Sequence, residues 1–498
     1  MDTPSPITAA TEAAPESDLL PSERIAPGLL PRVLTTFDMV AIFICIVLFI
    51  SNSALMTGAG PAAYLYWLLG FVTFLIPGAI VTGQLGTLFP GEGSIYLWTH
   101  KALGDFAGFF AGFCAWFPGV LGLVATADGA LTLLQHLNGA WLSQPWQEGC
   151  VIILIIALSA ALALARLRLT QRIVNLVGLA YGGAILLAGI AGLLALLHQQ
   201  VAPVNYAPRD FLPTPATFTF YGTVVLALLG VEVPLNLGVE IKEPRAVTRY
   251  LLWGSLVIMV AYLLGTFAVM TAVPLADQSS PAAVAEAVRL GFGGTLGDVL
   301  GLLVTLIFTG FFLLTTAVFN YSFARLLFVS GLDRRLPAAL SRLNANRVPS
   351  VAVVVQSVLA SLVAALIFLV APLTLRLLRP ADLTTIVYDV LQAALTVIWC
   401  VSMIFLFVDV VLIRRKYPER FARKQLAPGW VFHLCLVLGV LASSAGVLVI
   451  FTNPWVNLLS RRQWDLALLV LFLLAALAAM LLYGYGYKKR QSSKDMLR

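Results

Sequence analysis

A single acidic side chain, that of Glu232, lies inside a long apolar stretch, two residues after Gly230 and two before Pro234. Proline cannot donate a backbone hydrogen bond and obstructs the preceding helical turn, while glycine adds backbone freedom. Together they predict an unwound helix whose carboxylate faces a cavity. An ionisable residue at membrane depth is a functional candidate. We therefore predict that Glu232 senses a proton, pairs with a cationic substrate, or holds the broken helix through hydrogen bonds.

Another polar interruption, formed by Ser51, Asn52 and Ser53, divides an apolar stretch nearer the start of the chain. Such side chains compete for backbone hydrogen bonds and weaken a helix, although Ser and Asn also join packed membrane helices. Both interpretations stay open here. Interrupted spans at corresponding positions of two halves indicate the substrate site of a secondary transporter. The interruptions fall in the first and sixth apolar windows, each of which would open a five-helix repeat.

Asp128 and Asp389 are the other acidic residues at some depth, and we expect each toward the extracellular end. An acidic vestibule would favour cationic substrates, while a solvated interfacial position is the alternative for both. The five cysteines and four histidines are scattered, so neither a disulfide framework nor a metal site is predicted. The sequence has no HExxH, GxSxG, P-loop or pore-filter motif, which disfavours an enzyme, a primary pump and a channel. No cofactor is expected.

The composition places these residues in a membrane protein. Of 498 residues, 60% are hydrophobic and only 11% are charged, whereas a soluble domain carries about 25% charged residues. With a mean hydropathy of +0.93, the chain is predicted to be an all-α integral membrane protein. Apolar windows predict twelve transmembrane helices, near residues 33–57, 63–88, 104–135, 148–166, 171–197, 214–239, 248–274, 295–330, 349–371, 382–412, 430–451 and 464–486.

Basic residues set the predicted orientation. They concentrate in alternate loops, so the positive-inside rule puts both termini in the cytoplasm, and we expect the plasma (inner) membrane. We attribute the net charge of +7 to this loop bias rather than to binding of nucleic acid. The predicted segments are a disordered N-terminal tail over 1–30, a transporter core over 31–412, a basic loop over 413–429, helices 11 and 12 over 430–486 and a C-terminal tail over 487–498.

Three stretches resemble motifs of the amino acid–polyamine–organocation permease superfamily. They are PGEGSIYLWTHKALGDFAGFFAGF over 90–113, GVEVPLNLGVEIKEPRAV over 230–247 and TTAVFNYSFARLLFVSGLDRRLPAALSRLNANRVPS over 315–350. They occur in the order and spacing of that family and cover most of residues 33–412. The resemblance implies that helices 1–5 and 6–10 are related as inverted repeats. It also implies discontinuous helices 1 and 6 around a central substrate.

The resemblance further implies which residues bind the substrate. The substrate carboxylate would meet backbone N–H groups at the break in helix 1, and its amino group would meet carbonyls freed where helix 6 unwinds. By this match the substrate-binding residues are Ser51, Asn52, Ser53, Ala54, Leu226, Gly230 and Glu232.

The chain departs from some relatives of the superfamily. Tyr181 stands where some proton-coupled members carry a Lys, and Leu226 stands where some exchangers of cationic amino acids carry a gating aromatic residue. Thr315 and Thr316 resemble the hydroxyl pair of sodium-coupled members. An ion site at these two residues is therefore one alternative, and hydrogen bonding of both hydroxyls to their own helix, which is common for adjacent threonines in membrane helices, is the other.

The sequence as a whole predicts a secondary active transporter that moves amino acids by alternating access, as an exchanger or a proton-coupled symporter. A transporter of polyamines or cationic amines is the alternative within the same class. A channel or a non-transporting receptor is the alternative of another class. The expected partners are a small-molecule substrate and the lipid bilayer.

Overall fold

The computed structural model describes residues 19–198, 207–374, 380–454 and 459–495. Helices account for most of these ranges. In chain order, α1 to α19 are Pro21–Leu29, Thr36–Val47, Ser51–Met56, Ala62–Gly70, Ile76–Leu88, Ser94–Leu103, Asp105–Leu137, Pro145–Ala163, Leu167–Leu197, Phe220–Ala227, Arg245–Ala272, Ala283–Phe292, Gly294–Leu332, Ser350–Ala365, Ala371–Thr374, Pro380–Lys416, Pro418–Arg423, Gly429–Thr452 and Arg461–Asp495. The 3-10 turns are Thr57–Ala59, Pro208–Phe211, Val233–Glu240 and Ala338–Ser341, and the π-helical turns are Phe71–Leu75 and Leu366–Val370.

Ten helical stretches of the described chain are long and apolar enough to cross a membrane, which confirms the predicted all-α membrane architecture. An eleventh results if α2 and Ser51–Ala59, which meet at 45°, are counted as one. The predicted sixth window contains only the eight-residue α10 and the 3-10 turn after it. Regular helix stops between them because Gly230 has a φ of +106° and Pro234 has no N–H to donate.

Helices α7 and α13 form the centre of the bundle, and α19 lies at its edge. In the most apolar window of α7, 83% of the residues are buried, against 11% in α19. Glycines of α7 let the two central helices approach, because a side chain at Gly119 would collide with Phe323 and one at Gly122 with Phe319. Small residues permit such close packing in membranes.

The start of the described chain packs on the bundle. Ser22 of α1 donates from its backbone N–H and its hydroxyl to the Asp333 carboxylate, at 2.8 and 3.0 Å. Residues 1–18 of the predicted disordered tail lie outside the described residues. The remainder differs from that prediction, because Pro21–Leu29 is helical. Its composition suggested disorder, but its first turn binds a buried carboxylate more than 300 residues away in the chain, which no local pattern reveals.

Basic segments near the C-terminus are also helical. Helix α16 continues into the predicted basic loop over 413–429, and α17 follows within that loop. Cations in the last turn of a helix are stabilised by its dipole, and α16 ends with Arg414, Arg415 and Lys416. Helix α19 extends into the predicted tail over 487–498, the last three residues of which lie outside the described residues.

Candidate functional site

The first interruption lies at residues 48–50, between α2 and α3, so the predicted triplet Ser51, Asn52 and Ser53 follows the break and is itself helical. Two tyrosine hydroxyls replace helical hydrogen bonds that the backbone lacks there. The Phe49 N–H donates to the Tyr262 hydroxyl at 3.2 Å, and the Ile50 N–H donates to the Tyr181 hydroxyl at 3.1 Å. The Tyr181 hydroxyl in turn donates to the Leu48 carbonyl at 3.0 Å. Backbone polar groups at membrane depth need such partners, so these tyrosines stabilise the bend.

The second interruption follows α10. Gly230 adopts a positive φ that favours glycine, and Pro234 lies in the first turn of the 3-10 segment. Glu232 lies in the non-helical turn between them. The hydroxyl of Tyr250 reaches the Val231 carbonyl at 3.4 Å. The acid therefore lies between two backbone irregularities, where its side chain is not constrained to one face of a regular helix.

A cavity of about 390 Å³ lies beside both interruptions. Ser51 and Asn52 from the start of α3 line it, as does Leu226 from the end of α10. Asp128 of α7 and Asp389 of α16 share its wall, and no Lys, Arg or His occurs among its described lining residues. The apolar part of the wall includes Ile46, Phe49, Leu55, Phe312, Phe319 and Trp399. Such a wall can attract an ammonium group and enclose an apolar one.

Glu232 lies one side chain behind that wall. It is 1% exposed, and its Oε1 accepts a 3.1 Å hydrogen bond from the indole N–H of Trp399, whose ring lines the cavity. Its Oε2 has no hydrogen-bond partner among the described residues. A buried polar atom without a partner is costly and calls for a functional or structural reason. A ligand that contacts Trp399 would therefore perturb the hydrogen bond between Trp399 and this carboxylate.

The other predicted binding residues turn away from the cavity. The Ser53 hydroxyl donates to the Tyr262 carbonyl at 3.2 Å, and the Ala54 carbonyl accepts from the Thr57 hydroxyl. Successive residues of α3 point in different directions around its axis. The cavity thus brings together Ser51, Asn52 and Leu226, while its described wall leaves out Ser53, Ala54, Gly230 and Glu232.

The two predicted ion-site threonines do not line the cavity either. The Thr316 hydroxyl donates to the Phe312 carbonyl of its own helix at 2.9 Å. Thr315 is buried beside the Cys45 thiol. Within the described ranges, no group of three or more His, Cys, Asp or Glu side chains could hold a metal ion.

The three motif stretches converge on one buried ion cluster. Nη2 of Arg325 lies 2.8 Å from Oε2 of Glu240, and its Nε lies 3.2 Å from Oε1 of Glu92. All three side chains are at most 1% exposed. The second oxygen of Glu92 accepts from the Val239 N–H at 3.0 Å. Burial and the charge of Glu240 raise the pKa of Glu92 well above its usual range, against the lowering effect of Arg325.

Sequence reasoning missed the roles of Trp399 and Tyr262. Both lie in regular helices, far along the chain from the residues they bind. A polar-tipped aromatic residue in the middle of an apolar helix needs a hydrogen-bond partner, and that was the available signal. It does not identify the partner, which depends on how the helices pack.

The sequence model of a family described as amino acid permease matches residues 34–483. An uncharacterised transporter of Legionella pneumophila is 24% identical over 438 residues, covering 85% of this chain and 90% of the relative. A probable agmatine/putrescine antiporter of Lactococcus lactis is 24% identical over 54% of this chain and 58% of its own length. An aromatic amino acid transport protein of Corynebacterium glutamicum is 23% identical over 71% and 75%.

Among solved structures, a manganese transporter of Eremococcus coleocola matches with a TM-score of 0.59. The match covers 91% of this chain and 93% of that chain at 13% identity, which shows a shared fold alone. The family match shows more than the fold. It begins just before α2, ends within α19 and includes all three motif stretches and both interruptions. The chain therefore belongs to the amino acid permease family.

Proposed function

We propose that the protein is a secondary active transporter that moves amino acids across the membrane by alternating access. The observation that carries this proposal is the cavity, because it joins Ser51 and Asn52, just after one interruption, to Leu226, just before the other. Secondary transporters bind their substrates at interrupted helices near the middle of the membrane. Family membership and the fold shared with a solved transporter support the same class of function.

The proposal includes the finer architecture. Twelve helices would cross the membrane, with α2 and α3 forming a discontinuous helix 1, and α10 and Val233–Glu240 forming a discontinuous helix 6. Helices 1–5 and 6–10 would be inverted repeats. The 45° bend in the first pair and the shortness of α10 support this arrangement. The bias of basic residues supports cytoplasmic termini in the plasma (inner) membrane.

The cavity wall has groups suited to both ends of an amino acid. Asp128 and Asp389 would attract the ammonium group. The hydroxyl of Ser51 and the amide of Asn52 would bind the carboxylate. The surrounding aromatic and aliphatic side chains would enclose the apolar part of the substrate and exclude water, which strengthens both polar contacts.

A diamine or polyamine is the second candidate substrate. The observation in its favour is that the described wall contains two acidic residues and no Lys, Arg or His. A second ammonium group would then replace the carboxylate as the distal polar end. One similar relative carries the name of a probable agmatine/putrescine antiporter, while another is named as an aromatic amino acid transport protein.

Transport assays in liposomes test the function and separate the two substrates. Purified protein is reconstituted, and uptake of labelled phenylalanine, glutamate, putrescine and agmatine is measured into empty and preloaded vesicles, with and without a pH gradient. Uptake only into preloaded vesicles indicates exchange, whereas uptake into empty vesicles that follows the pH gradient indicates proton coupling. Glu232 is the proposed coupling residue in the second case.

Variants of the two cavity acids test whether the cavity wall binds the substrate. Asp128→Asn and Asp389→Asn are expected to weaken transport of a diamine roughly tenfold, because each removes one charge facing the ligand. Asp277→Asn, at an exposed acid outside the wall, should leave it unchanged. Absence of uptake for all four compounds under all conditions would count against the proposed transporter and favour a receptor or channel.

A further inference from the structure

Tyr262 of α11 contacts the backbone of both interrupted segments through one hydroxyl group. The oxygen lies 2.7 Å from the Val47 carbonyl oxygen and 3.1 Å from the Ala227 carbonyl oxygen. It also accepts the Phe49 N–H at 3.2 Å. Val47 is the last residue of α2 and Ala227 is the last residue of α10. A single side chain therefore contacts the carbonyl ends of two half-helices, which have no partner within their own helix. The Val47 carbonyl also accepts from the Phe49 N–H at 3.2 Å.

The hydroxyl cannot satisfy both carbonyls at once. It carries one hydrogen, so it can donate fully to either Val47 or Ala227 while it accepts from Phe49. The two carbonyls thus compete for one proton across the gap between the segments. A small rotation of the hydroxyl exchanges one bond for the other, and the carbonyl that loses the bond is less well satisfied. This coupling requires no movement of the ring.

Neighbouring groups hold the ring of Tyr262 in place. The side chain is fully buried, and the ring stacks on Trp67 with centroids 4.2 Å apart and planes 11° apart. The Trp67 indole is itself held by the Thr266 hydroxyl at 3.0 Å. The Asn52 side chain, which lines the cavity, lies within interaction distance of the same tyrosine hydroxyl. We call the Tyr262 hydroxyl and the two carbonyls that it contacts the joint. Its tyrosine ring is held rigidly on α11, and its hydroxyl is connected to the cavity through Asn52.

The two other tyrosines at the interruptions each serve one segment. The Tyr181 hydroxyl bonds to Leu48 and Ile50 of the first segment, and the Tyr250 hydroxyl bonds to Val231 of the second. Of these three tyrosines, Tyr262 is the one whose hydroxyl bonds span both segments. This difference provides matched variants that remove the same atom from similar surroundings.

We propose that Tyr262 is a positioning residue that joins the two interrupted segments, so that the arrangement of Asn52 at the cavity depends on the end of α10. The proposal rests on the proposed function only for its effect on transport. The structural joint itself can be tested without any substrate.

Hydrogen–deuterium exchange of the full-length protein in lipid nanodiscs tests the joint. Tyr262→Phe is expected to speed amide exchange roughly fivefold to tenfold both at residues 47–53 and at 227–233, since one hydrogen-bonding group is lost from each segment. Tyr181→Phe should affect only the first range. Tyr321→Phe is the matched control, because its buried hydroxyl bonds to Gln171 away from both interruptions. Faster exchange in one range only, or throughout the protein, would overturn the proposal.

A second variant covers the case in which Tyr262→Phe does not fold. Trp67→Leu removes the ring on which Tyr262 stacks and is expected to speed exchange in the same two ranges. An effect limited to α4 would then refute the joint.

The transport readout uses labelled putrescine and labelled phenylalanine in liposomes. For whichever probe the wild type carries, Tyr262→Phe is expected to raise KM about tenfold, whereas Tyr321→Phe should leave KM unchanged. A fall in folded protein with KM unchanged would show a merely structural role and overturn the inference. If the wild type carries neither probe, that result counts against the proposed transporter, while the exchange data still decide whether the joint exists.

Discussion

The indole N–H of Trp399 donates a 3.1 Å hydrogen bond to Oε1 of Glu232, while the ring of Trp399 lines the central cavity. One side chain thus separates the buried acid from the space that a substrate would occupy. The ring of Phe323 meets Trp399 edge-on with centroids 5.6 Å apart, which restricts the indole further. Ligand contact that tilts the indole would therefore weaken the bond to Glu232.

Glu232→Gln is expected to give a folded protein whose transport depends less on pH than that of the wild type. The amide keeps an oxygen for the Trp399 N–H, but it cannot take up or release a proton. Initial uptake rates across a pH series measure the effect, with thermal unfolding as the control for folding. A variant whose pH profile matches the wild type would leave Glu232 with a structural role alone.

Trp399→Phe keeps an aromatic wall but removes the donor to Glu232. We expect a loss of about 1–3 kcal/mol in stability, because a buried acceptor loses its partner. The double variant with Glu232→Gln should cost less than the sum of the two single changes, by at least about 0.5 kcal/mol. Trp116→Phe is the matched control, since its indole bonds to Gln356 at 3.0 Å. Strict additivity would show that the negative charge of Glu232 does not strengthen this hydrogen bond.

Removing the cation of the buried cluster should be strongly destabilising. Arg325→Met leaves Glu92 and Glu240 buried without their partner, and breaking such a pair costs about 3–5 kcal/mol. Arg342→Met, at an exposed position, is the control and should have little effect. Unfolding temperatures of the two variants in the same detergent compare them directly. Equal unfolding temperatures would mean that the cluster does not hold these three motifs together.

The same cluster predicts the direction of the pH effect. Because burial raises the pKa of Glu92, the folded protein binds that proton more tightly than the unfolded chain, and stability falls as the pH rises. Arg325 opposes this trend, so the deficit of Arg325→Met should grow with increasing pH and shrink in acid. Glu92→Gln should flatten the dependence. A deficit that grows in acid would contradict this assignment.

Sequence patterns predicted two interruptions, and regular helix stops near both, although the first irregular stretch lies at residues 48–50, before the predicted triplet at Ser51. The patterns did not predict where the side chains point. Gly230 and Pro234 predicted a break because proline and glycine have local backbone effects, and the polar triplet at Ser51 predicted the other. Glu232 was predicted to sense a proton, contact the substrate or hold the broken helix, and it lies behind Trp399. In a non-helical turn no periodicity relates one side chain to the next, so the direction of Glu232 depends on the packing of distant helices.

The three motif stretches likewise show that the sequence did not predict contacts between distant residues. Their resemblance to one superfamily indicated the kind of protein, and membership of the family is established by the match over residues 34–483. It did not indicate that Glu92, Arg325 and Glu240 share a buried cluster. Ion pairs between helices join residues that are distant in sequence, and a single sequence contains no signal of which ones meet.

His100 should not contribute to pH-dependent transport near neutrality. Burial and the charge of Arg335 lower its pKa to about 4, so the ring is neutral at physiological pH. The unfolded chain takes up this proton below a pH of about 6.5, and stability is therefore lost as the pH falls. His100→Gln should keep the wild-type transport profile and lose less stability in acid. His198→Gln, at an exposed helix end, is the control, and a profile altered only by the change at His100 would refute this view.

The contacts of α1 predict that single substitutions can release this helix from the bundle while the rest of the protein stays folded. The Asp333 carboxylate accepts from Ser22 at 2.8 and 3.0 Å and from the Tyr96 hydroxyl at 2.8 Å. Ser22→Ala removes one of these bonds, at a cost of about 1 kcal/mol, and Asp333→Asn should cost more, because the NH2 group that replaces one oxygen cannot accept from the donors facing it. Glu23 adds an ion pair with Lys101 at 2.7 Å.

Limited trypsin digestion measures that release. Cleavage after Arg24, an exposed residue within α1, requires the helix to open. It is expected to be about fivefold faster in Ser22→Ala, faster still in Asp333→Asn, and unchanged in Ser341→Ala, whose hydroxyl bonds within its own turn. Because α1 is attached through a few polar contacts at its first turn, the rest of the protein should keep its unfolding temperature to within a few degrees. Equal cleavage rates in all variants would show that the Asp333 carboxylate does not hold α1, and would leave buried Ala26 and the Glu23–Lys101 ion pair as its attachment.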